Sequence, residues 1–455
     1  MALGRQKEFA KLNECISRGE SSLTVLYGEH LTGISSLWQS FAKEKNAVVF
    51  SCVPSSSEEQ AYLWMRFMKG NLSESATNLS YFDVFSEIKS NSENEKCVIF
   101  TDFHFAIEAR GLFLTELDRF LKSMMPGEHI HFIFVSERTD WVENDFAVTA
   151  KSFGVKISNY IKVSPLSFVD VVCSLNTRDF DLILKMYSLF GGYFDALDQF
   201  DLSQSIDENI IDHFIRPDGA FRHYGTDMIR CELREPSVYA TILASLAEGR
   251  NKLNDLFLHT GFSRAKLSVY LKNLAALGLV EKVKSFDTPG TENTKKGVYR
   301  IVNPMVKFYF TFIYPNECAI HNMDEEEFYQ TYIADYLDAY CMLTFPAICE
   351  EFLILANERD MLPIHFTKYG QWVGKSGTID LIAQNKERDF LFSFCKPSRG
   401  ELTYDEFLDR LSTTKETHLV PDYFAVFSLD GFDSKFLDDF SERENVYLFD
   451  REDLC

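Results

Sequence analysis

Apolar residues recur along this chain with two different periods, and the change of period marks its organisation. In the first part they come as short, dense runs. Residues 23–27 (Leu-Thr-Val-Leu-Tyr) read as a buried strand, 28–33 as a tight loop and 35–42 as the start of an amphipathic helix. Residues 47–53, 97–100 and 129–136 read as further strands. Between them lie an aromatic helix over 61–68, preceded by a polar cap at 55–59, and a helix over 112–125; an earlier helix over 3–16 sets Phe9, Leu12 and Ile16 at helical spacing. Strands alternating with helices predict a parallel α/β sheet whose ligand end lies at the C-terminal ends of its strands.

From residue 235 the helical period takes over. Pro236 opens a helix with Tyr239, Ile242, Leu243 and Leu246 on one face, ending at Gly249, and residues 252–260 form a second, closed by Gly261. The third begins at Ser263 and repeats Leu267, Tyr270, Leu271, Leu274 and Leu277 before Gly278. Two helices joined by a short Gly-containing turn, followed by a hairpin over 280–302, predict a winged helix-turn-helix. The aromatic stretch 303–316 reads as core filling between domains, and 324–353 as two helices. Residues 372–374, 378–383 and 389–396 read as strands, and the acidic tail 430–453 as a last strand and an amphipathic helix with a solvated face.

Composition sharpens this division. At 455 residues the chain suggests roughly three domains, which the periods place at 1–230, 231–320 and 321–455. Hydrophobic residues at 46%, with aromatics at 15%, fill several cores and exclude global disorder. A net charge of −22 argues against a chain that binds nucleic acid or membrane by overall electrostatics. Locally the sign reverses: residues 250–300 hold ten Lys/Arg against four Asp/Glu, a net of +6. The ten cysteines show no C-x-x-C and no histidine pairing at zinc-ligand spacing, so buried reduced thiols and no structural metal are expected. The N-terminus is charged and no apolar run approaches the ~20 residues of a membrane span, so a cytoplasmic protein without a membrane partner is expected.

The loop after the first strand carries candidate chemistry. A phosphate-binding P-loop reads G-x-x-x-x-G-K-[ST]: glycines let backbone N–H groups wrap phosphate oxygens, the lysine reaches the β- and γ-phosphates, and the hydroxyl holds Mg²⁺. Gly28, Gly33 and Ser35, with Ser36 beside it, keep their places, but Ile34 stands where the lysine belongs. The strand at 97–100 runs into Thr101-Asp102-Phe103-His104, where a P-loop ATPase carries two carboxylates, one on Mg²⁺ and the next orienting water. Asp102 is alone there, and it reads equally as a simple cap on the strand end. If Phe103 matches the aromatic that follows such a pair, Thr101 replaces the metal ligand; if Asp102 is the metal ligand, Phe103 replaces the base. Ser136 reads as an ordinary turn serine and His30 as a loop histidine without a role. A helix N-terminus offers roughly half a positive charge, so weak phosphate binding survives the loss of lysine. Groups that neutralise transition-state charge are worth roughly 10²–10⁵ each in rate, so little turnover is expected to remain. The expectation is a degenerate site that binds ATP with Mg²⁺ weakly or not at all. In the basic segment, Arg264, Lys266 and Lys272 project from the third helix and Lys295 and Lys296 sit at the hairpin tip, a candidate DNA-binding surface with the helix in the major groove and the wing on phosphates.

Gly4-Arg5-Gln6-Lys7-Glu8-Phe9, the Y-G-x-x-x-x-G loop, the strand ending before Phe103, Pro165-Leu166-Ser167-Phe168, Gly191-Gly192-Tyr193 and the run L-x-x-x-T-G-x-S-R-x-x-L-S-x-Y-L-x-x-L-x-x-L-G-L-V-E-K over 256–282 together resemble the archaeal-type AAA ATPase family, common also in bacteria. The resemblance covers the whole chain. It implies an α/β multidomain protein: a P-loop ATPase core, a winged helix and a C-terminal domain of restriction-nuclease (PD-(D/E)XK) type. It also implies a lysine at 34 and an Asp-Glu pair at 101 and 102, both altered here. In the C-terminal domain it implies an Asp on one strand and E-x-K on the next, two carboxylates for Mg²⁺ and a lysine that steadies hydroxide and scissile phosphate. Asp380 and Lys396 match, Glu350 falls at the family's helix glutamate, and Phe394 stands where the strand glutamate belongs. Mg²⁺ demands oxygen ligands in near-octahedral geometry, so a retained fold without cleavage is expected. The function these residues imply is an ATPase-like regulator that senses nucleotide, or binds DNA or a protein partner, without catalysis. The alternative is an active ATPase, or a Mg²⁺-dependent nuclease, working through rearranged residues. No residue singles itself out as an arginine supplied in trans, so the oligomeric state is not specified.

Overall fold

The computed structural model describes residues 4–17, 20–70, 79–90, 96–108, 112–125, 127–175, 177–287, 297–374 and 377–454. The chain falls into two compact units, one of Met1–Leu166 with Tyr193–Asp198, the other of Ser167–Gly192 with Gln199–Cys455.

The first unit is built on strands β1 (Ser22–Gly28), β2 (Val48–Ser51), β3 (Lys96–Thr101), β4 (Ile130–Ser136) and β5 (Asn159–Val163), in the order β2-β3-β4-β1-β5 with every neighbouring pair parallel. Both faces of the sheet are apolar, as a parallel sheet covered by helices requires. Val25, Phe100, Phe132 and Phe134 pack with Trp64, Phe85 and Phe113 from the helices Ser57–Lys69, Tyr81–Ser90 and Leu112–Lys122. The alternate positions Leu26, Ile99, Ile133 and Val135 pack with Phe9 and Leu12 of the helix Gln6–Ile16 and with Ile34, Leu37 and Phe41 of the helix Ile34–Lys45. Ser56 caps the first of these helices by accepting from the Glu59 N–H. Strand β5 is absent from the sequence reading. It is an edge strand whose Tyr160 and Lys162 are exposed, so its apolar density is too low to announce it.

The second unit is helical at first. Helices Pro236–Ala247, Leu253–Thr260 and Arg264–Ala276 follow one another, and the antiparallel pair β6 (Val280–Val283) and β7 (Val298–Ile301) comes next. Tyr309, Phe310, Phe312 and Ile313 of the aromatic stretch are buried, so it does fill a core. The region read as two helices holds three, Glu325–Tyr332, Ala334–Met342 and Phe345–Glu358, with breaks at Ile333 and at 343–344. A second five-stranded sheet follows: β8 (Lys368–Val373), β9 (Thr378–Gln384), β10 (Phe390–Cys395), β11 (Tyr423–Phe427) and β12 (Val446–Phe449), ordered β12-β11-β10-β9-β8. β8, β9 and β10 pair antiparallel, while β10, β11 and β12 pair parallel. Phe407 of the helix Tyr404–Ser412 and Phe436 and Phe440 of the helix Ser434–Phe440 join Ile382, Phe392, Phe394 and Val426 in one cluster. The tail therefore runs helix then strand, and β11 was not anticipated.

One expectation about apolar runs needs correction. Among the described residues, the stretch Ala334–Glu358 is long and apolar enough to cross a membrane. Counting uninterrupted apolar residues missed it because Asp335, Asp338, Glu350 and Glu351 interrupt the run. Here it is two helices whose Leu337, Tyr340, Phe345, Ile348 and Leu353 are buried in the second unit.

Candidate functional site

The loop between β1 and the helix Ile34–Lys45 has the shape of a phosphate cradle. Gly33 takes φ +86° at the helix entrance, a left-handed conformation suited to glycine. A Cβ on Gly28 would lie 2.3 Å from the Val163 carbonyl oxygen, so only glycine lets β5 approach this closely. Arg5 is buried and donates to the Thr32 carbonyl, and the Thr32 hydroxyl donates to the Glu29 carbonyl at 2.6 Å. These contacts hold the loop's outline without reaching a ligand.

What faces the loop is anionic. The Gly33 N–H donates to Asp195 Oδ2 at 3.2 Å and the Ser36 hydroxyl to Asp195 Oδ1 at 3.0 Å. The Asp195 N–H donates in turn to the Leu31 carbonyl at 3.0 Å, and the Tyr193 hydroxyl to Glu29 Oε2 at 2.8 Å. The Ser35 hydroxyl donates to Glu137 Oε1 at 3.4 Å, and His30 Nδ1 lies 3.0 Å from Glu137 Oε2. The bond to Glu137 raises the imidazole's pKa, with the Glu137 and Asp195 charges adding to it. His30, read as idle, thus answers two carboxylates.

At the lysine position Ile34 is 0% exposed and packs with Phe9, Leu12, Leu26, Leu37 and Phe41. A lysine whose side chain took this course would bring an ammonium into hydrocarbon, at a cost of several kcal/mol unless paired. Asp102 follows β3 with φ +52°, an uncommon conformation for a non-glycine residue. Burial first, and Glu137 second, raise its pKa above the usual carboxylate value. Ser136, at the end of β4, accepts from the Arg138 N–H at 3.2 Å and so serves its own turn.

The C-terminal candidates are also committed to protein partners. Asp380 Oδ2 accepts from the Cys395 N–H at 2.9 Å and from the Arg410 guanidinium at 3.0 Å, and Arg410 also donates to the Cys395 carbonyl. Lys396, 8% exposed, donates to both oxygens of Glu406 at 3.0 and 2.9 Å and to the Glu401 carbonyl at 2.9 Å. The Thr403 N–H and then Lys396 hold the Glu406 carboxyl below its usual range. Phe394 is 0% exposed. Glu350 is not drawn into this group: burial raises its pKa, and the charges acting on it are Arg300, Glu281 and Glu351. Burial pushes the neighbouring Cys349 thiol up, with the Asp380 charge adding to it. Among the described residues no cluster of three or more His, Cys, Asp or Glu is placed to hold a metal ion.

On the helix Arg264–Ala276 the basic side chains lean on aromatic rings. The Arg264 guanidinium lies 4.1 Å from the Phe257 ring centroid and donates to Asn254 at 2.6 Å. Lys266 Nζ lies 5.0 Å from the Phe262 centroid and 5.3 Å from that of Tyr270. Arg264, Ala265, Ser268, Val269 and Lys272 are exposed. Lys295 and Lys296 lie outside the described residues.

Residues 309–407 match the DUF234 family, described as archaea bacterial proteins of unknown function. An uncharacterized protein of Methanocaldococcus jannaschii is 26% identical over 394 residues, which cover 85% of this chain and 84% of that one. Among solved structures, the Aeropyrum pernix ORC2 protein in its ADPNP-ADP complexes is similar at 14% identity and TM-score 0.41, and the Aeropyrum pernix ORC1 protein in complex with DNA at 13% and 0.36. Each of these covers 70% of this chain and 94% of its own.

Four residues of these sites escaped the sequence reading: Asp195, Glu137, Glu406 and Arg410. Asp195 lies 162 positions from Gly33. Its only sequence marker is its place just after Gly191-Gly192-Tyr193. Glu137 directly follows Ser136 at the end of β4, so a carboxylate at a strand end is its sequence signal. The Glu406 pairing has a local signal, since Thr403-x-x-Glu406 is a capping box.

Proposed function

We propose that this chain is an ATPase-like protein that does not turn over nucleotide and acts as a DNA-binding regulator. Its division into an ATPase-type domain over 1–230, a winged helix over 231–320 and a nuclease-type domain over 321–455 is part of that reading. The observation that carries the DNA limb is the exposed face of the helix Arg264–Ala276. It presents Arg264, Ser268 and Lys272, and no acidic residue occurs between 256 and 280 in a chain of net charge −22. Arg and Lys fit phosphate and guanine contacts, while Ala265 and Val269 offer apolar contact for a thymine methyl.

The residues around the loop do not fit ATP with Mg²⁺. The Gly33 N–H and the Ser36 hydroxyl, two donors the phosphates would need, already serve Asp195. Ser35, the metal-side hydroxyl, donates to Glu137, and no lysine stands behind Gly33. In the C-terminal unit, Asp380 and Lys396 are each neutralised by a protein partner, which supports a nuclease-type fold kept without cleavage.

The test is duplex DNA binding by the full chain, followed by fluorescence anisotropy across a salt series. Binding that weakens with salt is expected. Contacts of this kind are worth about 1–3 kcal/mol each, so the joint substitution Arg264→Glu and Lys266→Glu should weaken binding by about two orders of magnitude or more. Binding indifferent to both salt and the double substitution would overturn the DNA limb.

A further inference from the structure

We propose that the segment Tyr193–Leu197 is a tethered anionic plug: the Asp195 carboxylate occupies the phosphate position of the loop, and an outside phosphate binds there only when the segment withdraws. This rests on reading residues 28–36 as a phosphate-binding loop, and it is independent of the DNA limb.

Four observations support it. Both carboxylate oxygens of Asp195 are engaged, one by the Gly33 N–H and the other by the Ser36 hydroxyl, at 3.2 and 3.0 Å. These donors lie at the N-terminus of a twelve-residue helix, where the partial positive charge favours an anion. The segment is also sewn to the loop by its backbone, through the Asp195 N–H on the Leu31 carbonyl, and by the Tyr193 hydroxyl on Glu29. Finally, the Phe194 ring covers the turn, for a Cβ on Gly33 would meet it at 3.0 Å. A carboxylate that merely decorated the surface would need none of this closure.

The consequence can be put in numbers. A binding-competent fraction f weakens apparent affinity by 1/f, so a plug seated nine-tenths of the time costs an outside phosphate about tenfold. A ligand on a short tether acts at an effective concentration in the millimolar range, which suffices against a phosphate of similar intrinsic affinity. Direct repulsion between Asp195 and an incoming polyphosphate adds to that penalty.

The experiment compares the full-length chain with Asp195→Ala and Asp195→Asn, titrated calorimetrically with pyrophosphate and with ATP, each without Mg²⁺. The expected result is at least tenfold tighter pyrophosphate binding by Asp195→Ala than by the unaltered chain. Asp195→Asn is isosteric and keeps one carbonyl oxygen for the Gly33 N–H while its amide can donate to the Ser36 hydroxyl oxygen, so it preserves the fold and should fall between the two. Equal binding by all three proteins, tight or absent, would overturn the proposal, as would an Asp195→Asn protein that is folded by circular dichroism yet weaker than the unaltered chain. If Asp195→Ala gains affinity while DNA binding ignores the helix substitutions, the plug stands and the DNA limb alone fails.

Discussion

Asp195 and Asp380 each accept from a backbone N–H and from a side-chain donor, and the two side-chain donors differ in charge. Asp195 takes a serine hydroxyl at a helix N-terminus, and its charge also acts on the His30 imidazole. Asp380 takes the Arg410 guanidinium, so its charge is cancelled within the unit. An outside anion can compete for neutral donors, because it offers them the same acceptor. A metal ion that claimed Asp380 would leave Arg410 without its carboxylate, held by the Cys395 carbonyl and the Phe394 ring. The donors around Asp195 are therefore open to exchange with an outside anion on the proposed reading, while Asp380 is tied to Arg410.

The largest effect that would test this difference is on stability. Arg410→Ala leaves the Asp380 side chain, 11% exposed, without its counter-charge. Breaking a buried pair costs about 3–5 kcal/mol, and the lower end, about 3, applies because Arg410 keeps a quarter of its side chain in water. Urea unfolding followed by circular dichroism reads this directly. A loss under about 1 kcal/mol, the range of a surface pair, would show Asp380 to be free for other ligands.

A smaller effect is expected at Asp102. Its folded pKa is raised by burial and by Glu137, so ionisation works against the folded state. Stability that is present while Asp102 is protonated is lost as pH rises through the carboxylate range. Asp102→Asn should remove that decline and raise Tm slightly at neutral pH, without change at low pH where both side chains are neutral. Melting curves taken between about pH 4 and 7 check the sign. A lower Tm for Asp102→Asn at neutral pH would mean that the carboxylate is held by a favourable contact.

Much of the scaffold was legible because it is written in local periodicity. β1 to β4, the loop, the helices from Pro236 to Ala276 and β8 to β10 all carry dense apolar runs or a clean helical repeat bounded by Gly, Pro or Ser. β5 and β11 were not read. The first alternates Tyr160 and Lys162 outward at a sheet edge, whereas the second, Tyr423–Phe427, is an uninterrupted apolar run after Pro421-Asp422 that carries the same signal as β1 and was readable. The sites were legible only in what they lack. Ile34, the missing partner of Asp102 and Phe394 are visible as departures from a pattern, whereas the groups that fill the gaps are brought in by the fold. Asp195 reaches Gly33 across 162 positions, and the Arg410 pairing depends on where the helix Tyr404–Ser412 lands beside β9 and β10. No periodicity encodes contacts of that kind.

The central claim is that the nucleotide-type site does no chemistry. Its most direct test is steady-state phosphate release from Mg²⁺-ATP by the full chain, with and without duplex DNA, beside the Asp102→Ala variant. The predicted result is that the unaltered chain and the variant release phosphate equally, at the buffer rate. Turnover well above buffer that Asp102→Ala abolishes would contradict it.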